Sequence, residues 1–161
     1  MEVYLLRHGI AENRRPGRAD SERKLTDEGK AKLRLVLARA QGAVGQPSLI
    51  LTSPLVRAVE TAEVAAEALG YAGAIAKTNA LLPSYCPQEV WREIRSHSGA
   101  RAILLAGHEP LLSQTASYLL GASRLMVDFK KGALMRVDID EVAGAPRGVL
   151  QWMLTPRLAG A

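Results

Sequence analysis

Short apolar runs that end at chemically active residues recur along this chain, and they constrain its fold more than any other feature. Residues 3–6 (VYLL) are followed by Arg7 and His8, and residues 102–106 (AILLA) are followed by Gly107 and His108. Runs of this length are typical of strands that are buried on both faces of a sheet, as parallel strands are. The sequence therefore predicts two histidines and an arginine at strand ends.

Segments with helical features separate the predicted strands. Thr26 is expected to cap a helix, because two acids follow it and the apolar residues beyond them repeat at helical spacing as far as Gly42. A second helix is expected to begin at Ser53-Pro54, with the serine as cap and the proline as first helical residue, and to end at Gly70. Two further helices are predicted over residues 88–96 and 111–120.

The remaining predicted strands complete an alternating pattern, and they cover residues 48–52, 74–77, 133–139 and 149–154. The last two are close in sequence and are expected to pair antiparallel. The pattern predicts an α/β fold in which a mostly parallel central sheet is flanked by helices in three layers. A length of 161 residues fits a single domain over 1–161.

Composition narrows the class of protein further. No apolar run approaches the roughly 20 residues of a membrane helix, so no membrane partner is expected. The lone cysteine, Cys86, cannot form an internal disulfide and is typical of a reducing compartment, so a cytoplasmic location is expected.

The chain carries a net charge of +5, which raises the question of a nucleic-acid partner. Its basic residues are spread along the chain and only 4% of its residues are aromatic, so no such partner is expected. The one local cluster is Arg14, Arg15 and Arg18. This cluster is either a solvated loop or a positive rim that attracts an acidic, phosphorylated substrate.

Three strand ends are expected to meet at one edge of the sheet, where open α/β sheets bind their ligands. They carry Arg7 with His8, Arg57 just after the second strand, and His108. Arginine's planar fork matches the oxygens of a phosphoryl group, and an unprotonated imidazole is a good nucleophile near neutral pH. Together these residues predict a phosphate-handling site in which one histidine attacks and the other binds the phosphoryl oxygens.

Other site types find less support in the sequence. None of the three histidines belongs to a cluster with zinc-ligand spacing, so no metal is expected. The chain also lacks the Gly-x-Ser-x-Gly elbow of serine hydrolases and the glycine-rich loops that bind nucleotides, so no cofactor is expected.

Four motifs, in this order, resemble the histidine phosphatase superfamily, which includes phosphoglycerate mutases. They are Leu6-Arg7-His8-Gly9, Leu25-Thr26-x-x-Gly29, Ser53-Pro54-x-x-Arg57-Ala58-x-x-Thr61 and Gly107-His108-x-Pro110. The short length, the segment Asp20-x-x-Arg23-x-Leu25-Thr26 and the ending Gln151-Trp152-x-Leu154-x-Pro156 are similar to the SixA-type phosphohistidine phosphatases of that superfamily.

This resemblance implies a phosphoglycerate-mutase-like fold and a role for each site residue. His8 would be the phosphorylated nucleophile, and Arg7, Arg57 and His108 would bind the phosphoryl group. The backbone at Gly9 and Glu109 would assist in binding the substrate.

Many members of the superfamily also carry a carboxylate general acid, and the chain departs from them in this respect. Glu89 and Glu93 lie in the appropriate segment but without the expected motif, so a solvated helix face is the expected interpretation of both. A missing acid favours a nitrogen-linked phosphate, because the leaving imidazole departs neutral once it is protonated.

The expected function is therefore a phosphatase with a phosphohistidine intermediate that acts on phosphohistidine in a partner protein. Two alternatives stay open. One is a phosphatase of small phosphate esters or sugar phosphates that uses the same site. The other is a non-catalytic module that binds phosphoproteins.

Overall fold

The computed structural model describes all residues, 1–161, as alternating strands and helices. The strands are β1 (Glu2–Arg7), β2 (Leu49–Thr52), β3 (Ile75–Lys77), β4 (Ala102–Gly107), β5 (Leu134–Ile139) and β6 (Gly148–Leu154). The helices are α1 (Asp27–Ala40), α2 (Val56–Leu69), α3 (Pro87–Ser96) and α4 (Leu111–Leu119). Short 3₁₀ turns cover Asp20–Glu22 and Asn79–Leu81.

All six strands form one sheet in the order β3-β2-β4-β1-β5-β6. The first four in the chain are mutually parallel, and β5 pairs antiparallel with both β1 and β6. The predicted α/β class, the mostly parallel sheet and the antiparallel final pair are confirmed. No helix is long and apolar enough to span a bilayer.

The alternating side chains of the central strands build one core on each face of the sheet. In β1, Val3 and Leu5 join the core formed with α3 and α4, whereas Tyr4 and Leu6 join the core formed with α1 and α2. All four side chains are fully buried, as a strand covered by helices on both faces requires. The predicted three layers are confirmed.

The first two helices begin differently, and one prediction is wrong. The Thr26 hydroxyl accepts the N–H of Gly29 at 3.0 Å, so it caps α1 as expected. At α2, however, the helix begins at Val56, two residues later than expected, and no side chain caps it. Ser53 lies three residues before Val56, and its hydroxyl oxygen accepts the N–H of Leu55 at 3.4 Å, which precedes the helix, and lies 2.9 Å from the His108 ring. Arg57 still falls in the first turn of α2.

Candidate active site

The pairing of β1 with β4 brings the two site histidines together. These strands are parallel and in register, with Arg7 opposite Gly107, so His8 and His108 follow directly from paired positions. The His8 N–H donates to the Gly107 carbonyl at 3.0 Å, which fixes the two chain segments beyond the sheet. The ring centroids lie 5.0 Å apart at an interplanar angle of 54°. Both side chains are buried.

The hydrogen bond of His8 determines which of its ring nitrogens is free. Its Nδ1 lies 2.8 Å from the carbonyl oxygen of Gly9, which can only accept. Nδ1 therefore carries the proton, and Nε2 carries the lone pair. Burial, together with the smaller effects of the charges of Arg57, Arg7 and Lys131, lowers the pKa of His8 to about 4, although the bond to Gly9 acts in the opposite direction. The ring is thus neutral at pH 7, with a lone pair available at Nε2.

His108 has a free nitrogen of the opposite kind. Its Nε2 lies 2.9 Å from the hydroxyl of Ser53, and its Nδ1 is buried without a partner in the protein. When that hydroxyl donates to Nε2, the proton of the ring is on Nδ1, where it is available to an anion. Burial, with smaller contributions from the neighbouring His8 and Arg57, lowers the pKa of His108 to about 3.

Two arginines lie beside the histidines, and each has one buried nitrogen without a hydrogen-bond partner. Arg57 donates from Nη1 to the Asp20 carbonyl at 2.8 Å and from Nη2 to the Asp20 carboxylate at 3.0 Å. Arg7 donates from Nη1 to the Phe129 carbonyl at 2.5 Å. The Nε atoms of both arginines are buried and unpartnered. Burial lowers the pKa of both arginines, yet arginine remains charged at neutral pH.

We call the side chains of Arg7, His8, Arg57 and His108 the His–Arg pocket. Four buried side-chain polar atoms in the protein lack a partner, and three of them belong to this pocket. An unsatisfied buried donor typically costs about 1–3 kcal/mol, and more on a charged group. Three such nitrogens on the side chains that neighbour His8 suit an anion with several oxygens, as a phosphoryl group has.

Glycines allow the loop after β1 to approach α1 closely. A Cβ on Gly9 would lie 2.8 Å from the Leu33 side chain, and one on Gly29 would lie 2.2 Å from the Ile10 carbonyl oxygen. Both distances are too short for any other residue to fit without a shift. The glycines of two predicted motifs therefore hold the segment that carries His8 against the helix.

In the last predicted site residue, Glu109, the side chain and the backbone N–H have different roles. Its carboxylate accepts the N–H of Ser113 at 2.9 Å, in the first turn of α4. Its own N–H has no hydrogen-bond partner in the protein. The backbone donor that the sequence predicted next to His108 is thus free to bind an oxygen.

The two glutamates considered as a general acid lie outside the His–Arg pocket. Glu89 accepts the backbone N–H of Cys86 at 3.3 Å, at the start of α3. Glu93 accepts the hydroxyl of Thr78 at 3.1 Å and lies 3.5 Å from the ring of His97. Both carboxylates thus serve local contacts of α3.

Sequence reasoning missed the carboxylate that does reach the pocket, Asp20. Besides Arg57, it contacts Arg23 at 2.8 Å and Arg14 at 3.0 Å. The hydrogen bond from Arg23 and the charges around it lower the pKa of Asp20 to about 2. Such a carboxyl is ionised at neutral pH and cannot donate a proton there. The segment Asp20-x-x-Arg23 was the available signal, but sequence spacing does not show that it folds back onto Arg57.

In the basic cluster of Arg14, Arg15 and Arg18, two of the three arginines pair with nearby carboxylates. Arg14 contacts Asp20, and Arg18 contacts Glu12 at 3.1 Å. Both pairs are partly or largely exposed, so each contributes little to stability. No group of three or more histidine, cysteine or acidic side chains is arranged to hold a metal ion.

Comparison with known proteins gives consistent relatives. Residues 3–81 match the family described as histidine phosphatase superfamily (branch 1). An uncharacterized protein of Picosynechococcus sp. is 34% identical over 137 residues, which cover 84% of this chain and 83% of that protein. The phosphohistidine phosphatase SixA of Escherichia coli is 25% identical over 162 residues, which cover 97% of this chain and 94% of that protein.

Among solved structures, the protein histidine phosphatase SixA complexed with tungstate superposes with a TM-score of 0.85 at 26% identity, and the match covers 98% of each chain. The fold, the family match and the two SixA proteins agree on one assignment. The chain belongs to the histidine phosphatase superfamily, in its SixA-type branch.

Proposed function

We propose that this phosphatase removes phosphate from phosphohistidine in a partner protein, through a phosphohistidine intermediate on His8. One observation carries the proposal. The lone pair of His8 Nε2 is free, and the neighbouring side chains hold three buried nitrogens without a partner, namely Nε of Arg7, Nε of Arg57 and Nδ1 of His108. A neutral nucleophile surrounded by such donors suits attack on a phosphoryl group.

In the first step, Nε2 of His8 attacks the phosphorus in line with the bond to the substrate ring. A P–N bond to His8 forms while the P–N bond of the substrate breaks, and the electron pair of the broken bond stays on the substrate nitrogen. The two arginines and His108 donate to the phosphoryl oxygens as their charge develops. The Glu109 N–H is a further donor for these oxygens.

The charges balance in this step without a general acid. A substrate ring that is protonated on its other nitrogen leaves as neutral imidazole. The positive charge passes to the His8 ring, whose Nδ1–H stays bonded to the Gly9 carbonyl. An alkoxide would instead have to gain a proton as it left, and the pocket carboxylate, Asp20, is ionised. The pocket therefore fits a nitrogen leaving group better than an alkyl ester.

In the second step, water attacks the phosphorus and the P–N bond to His8 breaks. The electron pair returns to Nε2, and both protons of the water remain on the phosphate that is released. His8 is again neutral, which burial and the nearby cations favour. No group has to be reset before the next cycle.

A phosphatase of small phosphate esters is the second candidate. The pocket donors bind phosphoryl oxygens whatever the leaving group is, so they do not by themselves select phosphohistidine. A non-catalytic module remains an outcome of the test, although binding alone does not need a neutral imidazole with its lone pair free. The single cysteine, Cys86, is an exposed free thiol, and it supports our proposal of a cytoplasmic location.

A substrate panel tests the proposal. Phosphohistidine peptides should be hydrolysed with kcat/KM at least 100-fold above that of p-nitrophenyl phosphate and of sugar phosphates. Phosphate release is the measurement. Faster hydrolysis of the esters would favour the second candidate, and tight phosphate binding without any turnover would favour the binding module.

A further inference from the structure

A second charged feature, a cleft of about 730 Å³, opens beside Arg7. Its charged side chains are five cations and one carboxylate, namely Arg7, Lys32, Lys130, Lys131, Arg157 and Asp128. We call this feature the basic cleft. It shares Arg7 with the His–Arg pocket, but its other members have no place in the proposed reaction.

Three separate segments form the walls of the basic cleft. Lys32 lies on α1, the adjacent lysines precede β5, and Arg157 follows β6. The walls meet at Gly132, where a Cβ would lie 3.4 Å from the Pro156 ring and 3.6 Å from the Leu33 side chain. The cations therefore converge from parts of the chain that are far apart in sequence.

Hydrogen bonds hold the lysine wall against the active site. The N–H of Gly132 donates to the carbonyls of both Arg7 and His8 at 3.1 Å. Arg7 in turn donates to the Phe129 carbonyl. The charge of Lys131 contributes to the lowered pKa of His8, which indicates that its field reaches the nucleophile. A ligand in the cleft would therefore lie next to the transferring phosphoryl group.

The cleft keeps an excess of positive charge. Lys32 pairs with Glu28 at 2.9 Å, and Lys130 pairs with Asp128 at 2.7 Å. Arg7, Lys131 and Arg157 form no ion pair in the protein. Clefts lined by charge of one sign concentrate ligands of the opposite sign.

We propose that the basic cleft binds an acidic segment of the phosphoprotein substrate, next to its phosphohistidine. This inference rests on the proposed function and adds a determinant of substrate choice to it. A tight site for a second free phosphate would need several buried donors. In the cleft only Arg7 has one, whereas Lys130, Lys131 and Arg157 are exposed. Exposed, spread cations suit the carboxylates of a protein surface.

A direct binding experiment tests the cleft without any turnover. Fluorescence anisotropy would follow two labelled peptides, one with six glutamates around a central histidine and one with glutamines instead. The wild-type protein should bind the glutamate peptide at least tenfold more tightly, and this preference should fall as salt is raised. Equal binding of the two peptides would overturn the proposal.

The test variant is Lys130→Gln with Arg157→Gln, which leaves Arg7 and Lys131 in place beside His8. The two substitutions should weaken binding of the glutamate peptide about fivefold, because the small binding free energies of two exposed charge contacts add. The matched control is Arg92→Gln with Arg95→Gln on α3, which removes the same charge elsewhere. An equal loss in both variants would mean that only net charge matters, and it would overturn the assignment to the cleft.

Phosphate release from the phosphorylated forms of the two peptides separates this inference from the proposed function. The test variant should lower kcat/KM for the glutamate peptide about fivefold and leave that for the glutamine peptide unchanged. If neither phosphopeptide is hydrolysed, the proposed function fails while the anisotropy result still decides the cleft. If only a small bisphosphate responds to the variant, the cleft is a phosphate subsite and the inference is wrong.

Discussion

The His–Arg pocket and the basic cleft both attract anions and share Arg7, but they bury their charges to different extents. In the pocket, Arg57 and His108 are 6% and 2% exposed and hold donors without a partner. In the cleft, Lys130 and Arg157 are exposed. Buried, unsatisfied donors are costly until an anion with the right geometry arrives, whereas solvated cations are not.

The difference separates two tasks. Fixed donors in a site that excludes water act strongly on the charge of a transition state. Exposed cations act more weakly and over a longer range, on whatever acidic surface is near. We therefore expect substitutions in the pocket to change the chemical step by orders of magnitude, and substitutions in the cleft to change only the choice of substrate.

The largest effect is expected for His8→Ala. Without Nε2 no phospho-enzyme can form, so turnover should fall by at least about four orders of magnitude and acid-labile labelling by radioactive phosphate should vanish. The control is His97→Ala, which removes the histidine that ends α3 outside the site. Normal labelling of the His8 variant would show that the nucleophile lies elsewhere, and the chemical role assigned to the His–Arg pocket would be wrong.

Arg57→Ala comes next. Loss of one fixed donor to the transferring group should lower kcat by about 100- to 1000-fold, as removal of a single donor does at comparable sites. Single-turnover phosphate release measures this effect. Arg34→Ala, which removes an exposed arginine of α1 that pairs with Glu67, is the control. A change confined to KM would mean that the pocket only binds, as the cleft does.

The burial of the two histidines predicts a loss of stability in acid. The unfolded chain takes up these protons near pH 6.5, whereas the folded chain does so only near pH 4 for His8 and pH 3 for His108. The contribution of each to stability is therefore complete above about pH 6.5 and falls as the pH drops, by about 2 kcal/mol at pH 5.

Urea unfolding at pH 7 and pH 5 measures this loss. His108→Gln should reduce the loss between the two pH values by about 2 kcal/mol, because it removes one of the two buried imidazoles. His97→Gln is the matched control. An unchanged loss in the His108 variant would mean that the pocket is as well solvated as the cleft.

The smallest effect is expected for Asp20→Asn. The Asp20 carboxylate occupies a donor of Arg57 and repels an incoming phosphate. Removal of its charge should lower the inhibition constant of inorganic phosphate about threefold, while the backbone carbonyl continues to hold the guanidinium. Competition against a phosphohistidine peptide measures the change. Weaker phosphate binding would show instead that the carboxylate positions Arg57.

Local signals in the sequence predicted most of the fold. Alternating apolar strands and helices report burial and propensity directly, and the Thr26 cap is a contact between residues three apart. The predicted start of α2 was wrong by two residues, because Ser53 and Pro54 lie in the segment before the helix and are not its cap and first residue. The hydroxyl of Ser53 also lies 2.9 Å from a ring 55 residues away, and no local pattern shows that contact.

The features of the site also separate into those that the sequence predicts and those that depend on long-range contacts. The choice of Arg7, His8, Arg57 and His108 as site residues, and their positions at or soon after strand ends, followed from the sequence by itself. The contact of Asp20 with Arg57 joins residues 37 positions apart and depends on how the loop after β1 folds back. Likewise, the basic cleft gathers charges from α1 and from the segments next to β5 and β6.

The sequence by itself determined which residue types stand at the strand ends, because strands that are buried on both faces require continuous apolar runs, which can be read along the chain. Only the tertiary structure decided their electrostatics. The unpartnered donors beside His8 and the contact of Asp20 with Arg57 depend on distances between segments, and such distances exist only once the sheet has assembled.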